Sequence, residues 1–114
     1  MRIAVPTMDG KTISEHFGRC RAFMIFEAEG RTIQGCKARP NAKGGSHDHQ
    51  AFAELLSDCQ AVIVKGMGPG SLKALTGAGL EVYRANPSAT PEEAIFRFLS
   101  GYLKPMEEEG GEEQ

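Results

Sequence analysis

Ala61-Val62-Ile63-Val64-Lys65-Gly66-Met67-Gly68-Pro69-Gly70-Ser71 decides the fold. The continuous apolar run 61–64 predicts a strand covered on both faces. The glycine-rich turn after it opens a helix that Gly77 and Gly79 end, and Leu80–Tyr83 is the next strand. Upstream, Phe52, Leu55, Leu56 and Cys59 sit at i, i+3, i+4 and i+7, one face of a helix beginning near Asp48. Two β-α-β steps in succession require parallel strands joined by right-handed crossovers.

Working outward, Arg2–Pro6 is a first strand ended by proline, followed by a polar connection, Met8–Gly18, with the turn dipeptide Asp9-Gly10. Phe23-Met24-Ile25-Phe26 marks a second strand inside Arg21–Ala28. A two-residue turn at Glu29-Gly30 folds it back into a third, about Thr32–Ala38. Arg39–Ser46 is a loop. Thr90-Pro91-Glu92-Glu93 is a helix start, with threonine at the N-cap, proline at N1 and glutamate at N3. Ile95, Phe98, Leu99 and Tyr102 are its expected buried stripe, and Pro105 its stop. The order β-β-β-α-β-α-β-α gives an α/β protein. Its five-stranded mixed sheet has order 3-2-1-4-5, strand 2 antiparallel and helices on both faces.

A chain of 114 residues supports one core. The net charge of −2 mixes two regions. Residues 107–114 carry Glu107, Glu108, Glu109, Glu112 and Glu113 and no base, the pattern of a disordered acidic tail. The single domain, 1–106, is left with thirteen bases against ten acids, too mild a balance to indicate nucleic acid. No stretch reaches the ~20 apolar residues that span a bilayer, and strand-like residues begin at Arg2, so a cytoplasmic protein without a signal peptide is expected. The cysteines Cys20, Cys36 and Cys59 are odd in number and form no CxxC pair, so the sequence supports neither a disulfide framework nor a zinc ribbon.

Open sheets of this kind bind ligands beyond the carboxyl ends of their parallel strands. His16 lies in the loop after strand one, and Cys20 at the entry to strand two. Strand three ends near Cys36, and the next loop carries His47 and His49. All three histidines and two cysteines are thus expected at one rim, with Cys59 in the core or at the opposite end. Arg19, Arg21, Lys37, Arg39, Lys43, Lys65 and Arg84 make this rim basic against Asp9, Glu15 and Asp48, which favours anions. The Gly66–Gly70 turn adds backbone N–H groups at a helix N-terminus, although it lacks the Walker lysine and is not GxGxxG. From the residues alone, His16 is a metal ligand or a loop-bonding histidine, and His47 and His49 are ligands or parts of a polar loop with Asp48 as helix cap. Imidazole suits iron and borderline metals, and thiolate suits iron–sulfur clusters. A sparse set on loops suits a labile cluster better than a closed zinc site.

The strand and Asp9-Gly10 turn leading to His16-Phe17-Gly18, then Phe23-Met24-Ile25-Phe26-Glu27, then Gly66-Met67-Gly68-Pro69-Gly70 … Leu75 … Ala78-Gly79-Leu80-Glu81-Val82-Tyr83, resemble the dinitrogenase iron–molybdenum cofactor biosynthesis family. The likeness runs over about residues 1–103, and the two motifs together carry it. The family holds NifX-like proteins and the C-terminal domain of NifB-like proteins. The resemblance implies a ribonuclease-H-like three-layer α/β/α fold and a non-enzymatic protein that binds or carries an iron–sulfur or iron–molybdenum-type cluster. It singles out His16 as leading ligand, within the His16-Phe17-Gly18 element, and raises the metal reading of His47 and His49 in the glycine/histidine loop 44–49. Joined to the rim, it makes Cys36, His47 and His49 auxiliary ligands and Arg19, Arg39, Gly66 and Gly68 contacts to the cluster. Family members often stand beside P-loop ATPases of the cluster-scaffold type, so cluster-biosynthesis proteins are the expected partners.

Two other classes compete. A metal-free adaptor module would use the same rim to hold a P-loop ATPase or other protein. A nuclease would need several carboxylates clustered on the strands to hold Mg²⁺, and strands one, two and four offer none suitably placed except Glu27.

Overall fold

The computed structural model describes residues 1–42 and 49–106. The expected loop positions Lys43 to Asp48, His47 among them, and the acidic segment 107–114 lie outside the described residues. Five strands, β1 (Arg2–Thr7), β2 (Ala22–Glu29), β3 (Thr32–Pro40), β4 (Ala61–Val64) and β5 (Glu81–Arg84), form one sheet of order β3-β2-β1-β4-β5. β1 and β2 pair antiparallel, as do β2 and β3, whereas β1–β4 and β4–β5 are parallel. The expected topology is the observed one.

Continuous apolar runs form the centre because both faces of the sheet are covered. On one face, α1 (His49–Leu55) and α2 (Pro69–Gly77) bury Phe52, Leu72 and Leu75 against Ala4, Phe23, Val62, Val64 and Val82. On the other, α3 (Pro91–Leu99) lays Ala94 and Ile95 over Ile3, Val5, Phe26 and Ile63. Burying a side chain such as Ile95 contributes about 2 kcal/mol. The start of α3 is the capping box expected of its sequence. Thr90 Oγ1 accepts from the Glu93 N–H at 3.1 Å, and the Thr90 N–H donates to Glu93 Oε1 at 2.9 Å.

Three boundaries differ from expectation. The hairpin loop is Gly30-Arg31, since Glu29 pairs with Thr32, and Gly30 takes φ +62°. β3 runs on to Pro40, two residues past its expected end, which moves Cys36 into mid-strand. α3 stops at Leu99 and not near Pro105, because Gly101 at φ +81° turns the chain away. Tyr102 is therefore 71% exposed instead of buried. Pro105 bridges to Tyr83, and the Met106 N–H donates to the Val82 carbonyl at 2.6 Å.

Candidate functional site

The loop leaving β1 is built before it reaches His16. Asp9 Oδ1 accepts from the Lys11 N–H at 2.9 Å, the Thr12 N–H at 2.8 Å and the Thr12 hydroxyl at 3.0 Å. Those donors hold its carboxyl down at about 2. The connection is less polar inside than its sequence reads. Ile13 is buried, and the Ser14 N–H donates to the Pro6 carbonyl at 2.7 Å. A short 3-10 turn, Phe17–Arg19, then closes with the Arg19 N–H on the His16 carbonyl at 3.3 Å.

Phe17 anchors this turn. Its ring lies 5.5 Å from that of Phe23 on β2 and 5.3 Å, edge-on, from that of Phe52 on α1. The neighbouring His16 points the other way. Its backbone is held by Ser14, whose hydroxyl donates to the His16 carbonyl at 3.0 Å and accepts from its N–H at 3.3 Å. Its imidazole is exposed and has no hydrogen-bond partner among the described residues. An exposed imidazole on an anchored turn has the chemistry to accept a metal or a hydrogen-bonding ligand.

The Gly66–Gly70 turn packs beside it. A Cβ on Gly66 would lie 3.2 Å from the Glu15 carbonyl, so the absence of a side chain lets the His16 turn approach the end of β4. Gly68 is the N-cap of α2 and meets nothing within 4 Å, and Gly18 would only graze Phe52 at 3.9 Å. His49 opens α1, and its Nδ1 lies 3.0 Å from Ser71 Oγ on α2. Phe52, one turn along α1, meets Phe17, so the segments bearing His16 and His49 share one packing point. No periodicity signals Ser71, which matters only through its neighbour in space.

The other expected contacts are not gathered here. Cys36 pairs with Phe26, which pairs with Ile3, four residues or about 13 Å along the strands from the carboxyl end of β1. It also shares Phe26's face, the one covered by α3. Partial burial, and then the Glu92 carboxylate, push its thiol up. Cys20 and Cys59 are buried, and burial raises both thiols to about 11, so neither offers a thiolate. Arg39 is committed elsewhere. Its Nη1 and Nη2 donate to Asp58 Oδ1 and Oδ2, each at 2.8 Å, and Nη1 also donates to the Leu55 carbonyl at 3.0 Å. Arg19, Arg21 and Arg84 have no carboxylate partner among the described residues, and Lys65 reaches Glu15 only at 3.8 Å. The described residues contain no cluster of three or more metal-ligating side chains. Two broad grooves, about 660 Å³ over α3 and about 550 Å³ beside β3, include neither His16 nor His49.

The carboxyl rim of this three-layer α/β domain presents the His16 imidazole and guanidinium groups without carboxylate partners among the described residues. The chain belongs to the dinitrogenase iron–molybdenum cofactor family, whose model matches residues 1–101. It is 36% identical over 111 residues to an uncharacterised protein of Methanocaldococcus jannaschii, covering 94% of this chain and 92% of that one. It is 29% identical over 103 residues to the FeMo cofactor biosynthesis protein NifB of Chlorobaculum tepidum, covering 87% of this chain but only 24% of NifB. Among solved structures, a candidate dinitrogenase of M. jannaschii superposes with TM-score 0.76 at 21% identity, over 95% of this chain and 96% of that one. The apo form of the orange protein of Desulfovibrio gigas gives TM-score 0.74 at 26% identity, over 93% and 96%. No helix among the described residues is long and apolar enough to cross a membrane.

Proposed function

We propose that this chain is a non-enzymatic carrier for an iron–sulfur or iron–molybdenum-type cluster, bound at the carboxyl rim with His16 as its principal ligand. The observation that carries the reading is the His16 turn, where an exposed imidazole without a protein partner stands on a backbone fixed by Phe17 and Ser14. Membership of a family involved in iron–molybdenum cofactor biosynthesis supplies the class of cargo.

The donor set narrows that cargo. Two of three thiols are buried and protonated, and Cys36 lies mid-strand, so an all-cysteinate cluster does not fit. A preassembled anionic cluster that brings its own sulfide does fit, with imidazole completing a site and Arg19, Arg21 and Arg84 offsetting charge. Few protein ligands also make release easy, as a carrier needs. His49 and His47 are the auxiliary ligands of this reading. Cluster-biosynthesis proteins in the cytoplasm, a P-loop ATPase among them, are its proposed donors and acceptors, and the ribonuclease-H-like designation is the fold name it carries.

Anaerobic incubation with iron and sulfide, followed by desalting, should leave a visible chromophore with bound iron in the wild type. His16→Ala should lose most of both. Iron content and a spectrum unchanged by that substitution would remove His16 from the site.

A further inference from the structure

The ring of His49 lies across the first turn of α2. Its Nδ1 is 3.0 Å from Ser71 Oγ. A Cβ built on Gly70 would fall 2.6 Å from its Nε2, 2.8 Å from Cδ2 and 3.2 Å from Cε1. Those three distances fix the attitude of the ring. A point in line with the Nε2 lone pair would be equally far from Cδ2 and Cε1, and farther from both than is found here. The position above Gly70 is instead over the Nε2–Cδ2 edge. The ring therefore stacks face-on against Gly70, and the in-plane lone pair of Nε2 is not directed into the Gly70 backbone. His49 as a whole is exposed, whereas Ser71 is buried.

Metal-bound imidazole uses one nitrogen and gives the N–H of the other to an acceptor, which fixes tautomer and ring orientation. A serine hydroxyl has two lone pairs and rotates to accept. We propose that Ser71 and Gly70 are positioning residues that present His49 as a ligand through Nε2. Ser71 Oγ accepts from Nδ1–H, and the bare Cα of Gly70 gives the ring its seat. This rests on the carrier reading above and adds to it which nitrogen binds and what holds it there. The same geometry explains why the glycine after Pro69 matters: any side chain at position 70 displaces the ring, not the backbone.

The test uses the full chain with Zn²⁺ alone, a diamagnetic ion that imidazole binds, followed by histidine-selective ¹⁵N NMR and a binding titration. The Zn²⁺-loaded wild type should show His49 with metal on Nε2 and the proton on Nδ1. Ser71→Ala should weaken Zn²⁺ binding about 10- to 100-fold, and Ser71→Thr, which keeps the hydroxyl, should restore it. Gly70→Ala should give a similar loss with little change in Tm, because a movable ring gives way. Metal on Nδ1, or unchanged affinity in both Ser71→Ala and Gly70→Ala, overturns the proposal. Iron–sulfide loading separates it from the carrier reading. A wild type that takes Zn²⁺ through Nε2 but no cluster supports the positioning role while ending the carrier function. A cluster that loads while both variants bind metal as the wild type does overturns the positioning role alone.

Discussion

Two charged regions sit at opposite ends of the sheet, and they handle charge in opposite ways. At the amino end, Arg2 Nε meets Glu27 at 2.6 Å and its Nη1 meets Asp58 at 3.7 Å, while Arg39 grips the same Asp58 with two bonds of 2.8 Å. Two guanidiniums face two carboxylates, and nothing is left over. At the carboxyl end, Arg19, Arg21 and Arg84 lack carboxylate partners among the described residues, and the imidazole of His16 bonds to nothing there. Mutual pairing is the mark of a structural clamp, whereas side chains left without partners on a fixed backbone are open to an outside ligand, as the proposed function requires. The comparison also explains Arg39. Its backbone lies near the carboxyl rim, but its head group is turned back to Asp58 and the end of α1.

Removing Phe17 should break the comparison most violently, because it underlies the rigid support of the His16 turn at the carboxyl rim. Phe17→Ala deletes a buried ring packed on two others and should cost about 3–5 kcal/mol in urea unfolding. A loss below about 1 kcal/mol would mean that the His16 turn is not anchored as described. Gly66→Ala should come next, at about 1–3 kcal/mol, since its Cβ would sit 3.2 Å from the Glu15 carbonyl and press on the same turn. NMR shifts confined to residues 14–20 would confirm where the pressure falls.

The clamp at the other end should show itself in acid. Hydrogen bonding from Arg39 holds the Asp58 carboxyl down at about 2 against a usual 3.8, with a smaller charge contribution from Arg2. A carboxyl depressed in the folded state stabilises the fold fully above 3.8, and that stability drains away as pH falls through 3.8 to about 2. Asp58 is more than a third exposed, so solvent screening limits the effect to about 1 kcal/mol. Asp9 titrates in the same window, pulled down by its own loop N–H groups. Asp58→Asn separates the two. Its Tm should run below the wild type at pH 6 and converge with it by pH 2, and parallel curves would deny the clamp.

How far these regions could be read from sequence depends on the range of their contacts. The order and directions of the strands were legible, because alternation, apolar runs and turn residues are local, and right-handed crossovers leave one order for the strands. The His16 turn was legible as a motif. Arg39 was not, because its partner Asp58 is 19 residues away, in the turn between α1 and β4. Cys36 was misplaced by a small error with a large consequence. Extending β3 by two residues moves it off the rim, and its register opposite Phe26 assigns it to the face of α3. Tyr102 failed for a different reason: helical spacing continues in the sequence after Gly101 has already ended the helix. The pairing of His49 with Ser71 joins two helices, and no pattern within either one announces it.

The smallest expected effect is the most telling for the comparison. His16→Ala removes a side chain that is exposed and makes no bond to the described residues, so its unfolding free energy should stay within about 0.5 kcal/mol of the wild type. Arg19→Ala, equally unpaired at the same rim, should behave alike. Asp58→Asn provides the internal standard, a single polar substitution at the opposite end that does cost stability. Urea unfolding of the three variants side by side in one neutral buffer makes the measurement. If His16→Ala destabilises as much as Asp58→Asn, the imidazole is a structural group like those of the clamp, and the division between the two ends disappears. If it is silent in unfolding yet abolishes cluster loading, the residue contributes to binding alone, as a ligand on a support that other residues maintain should.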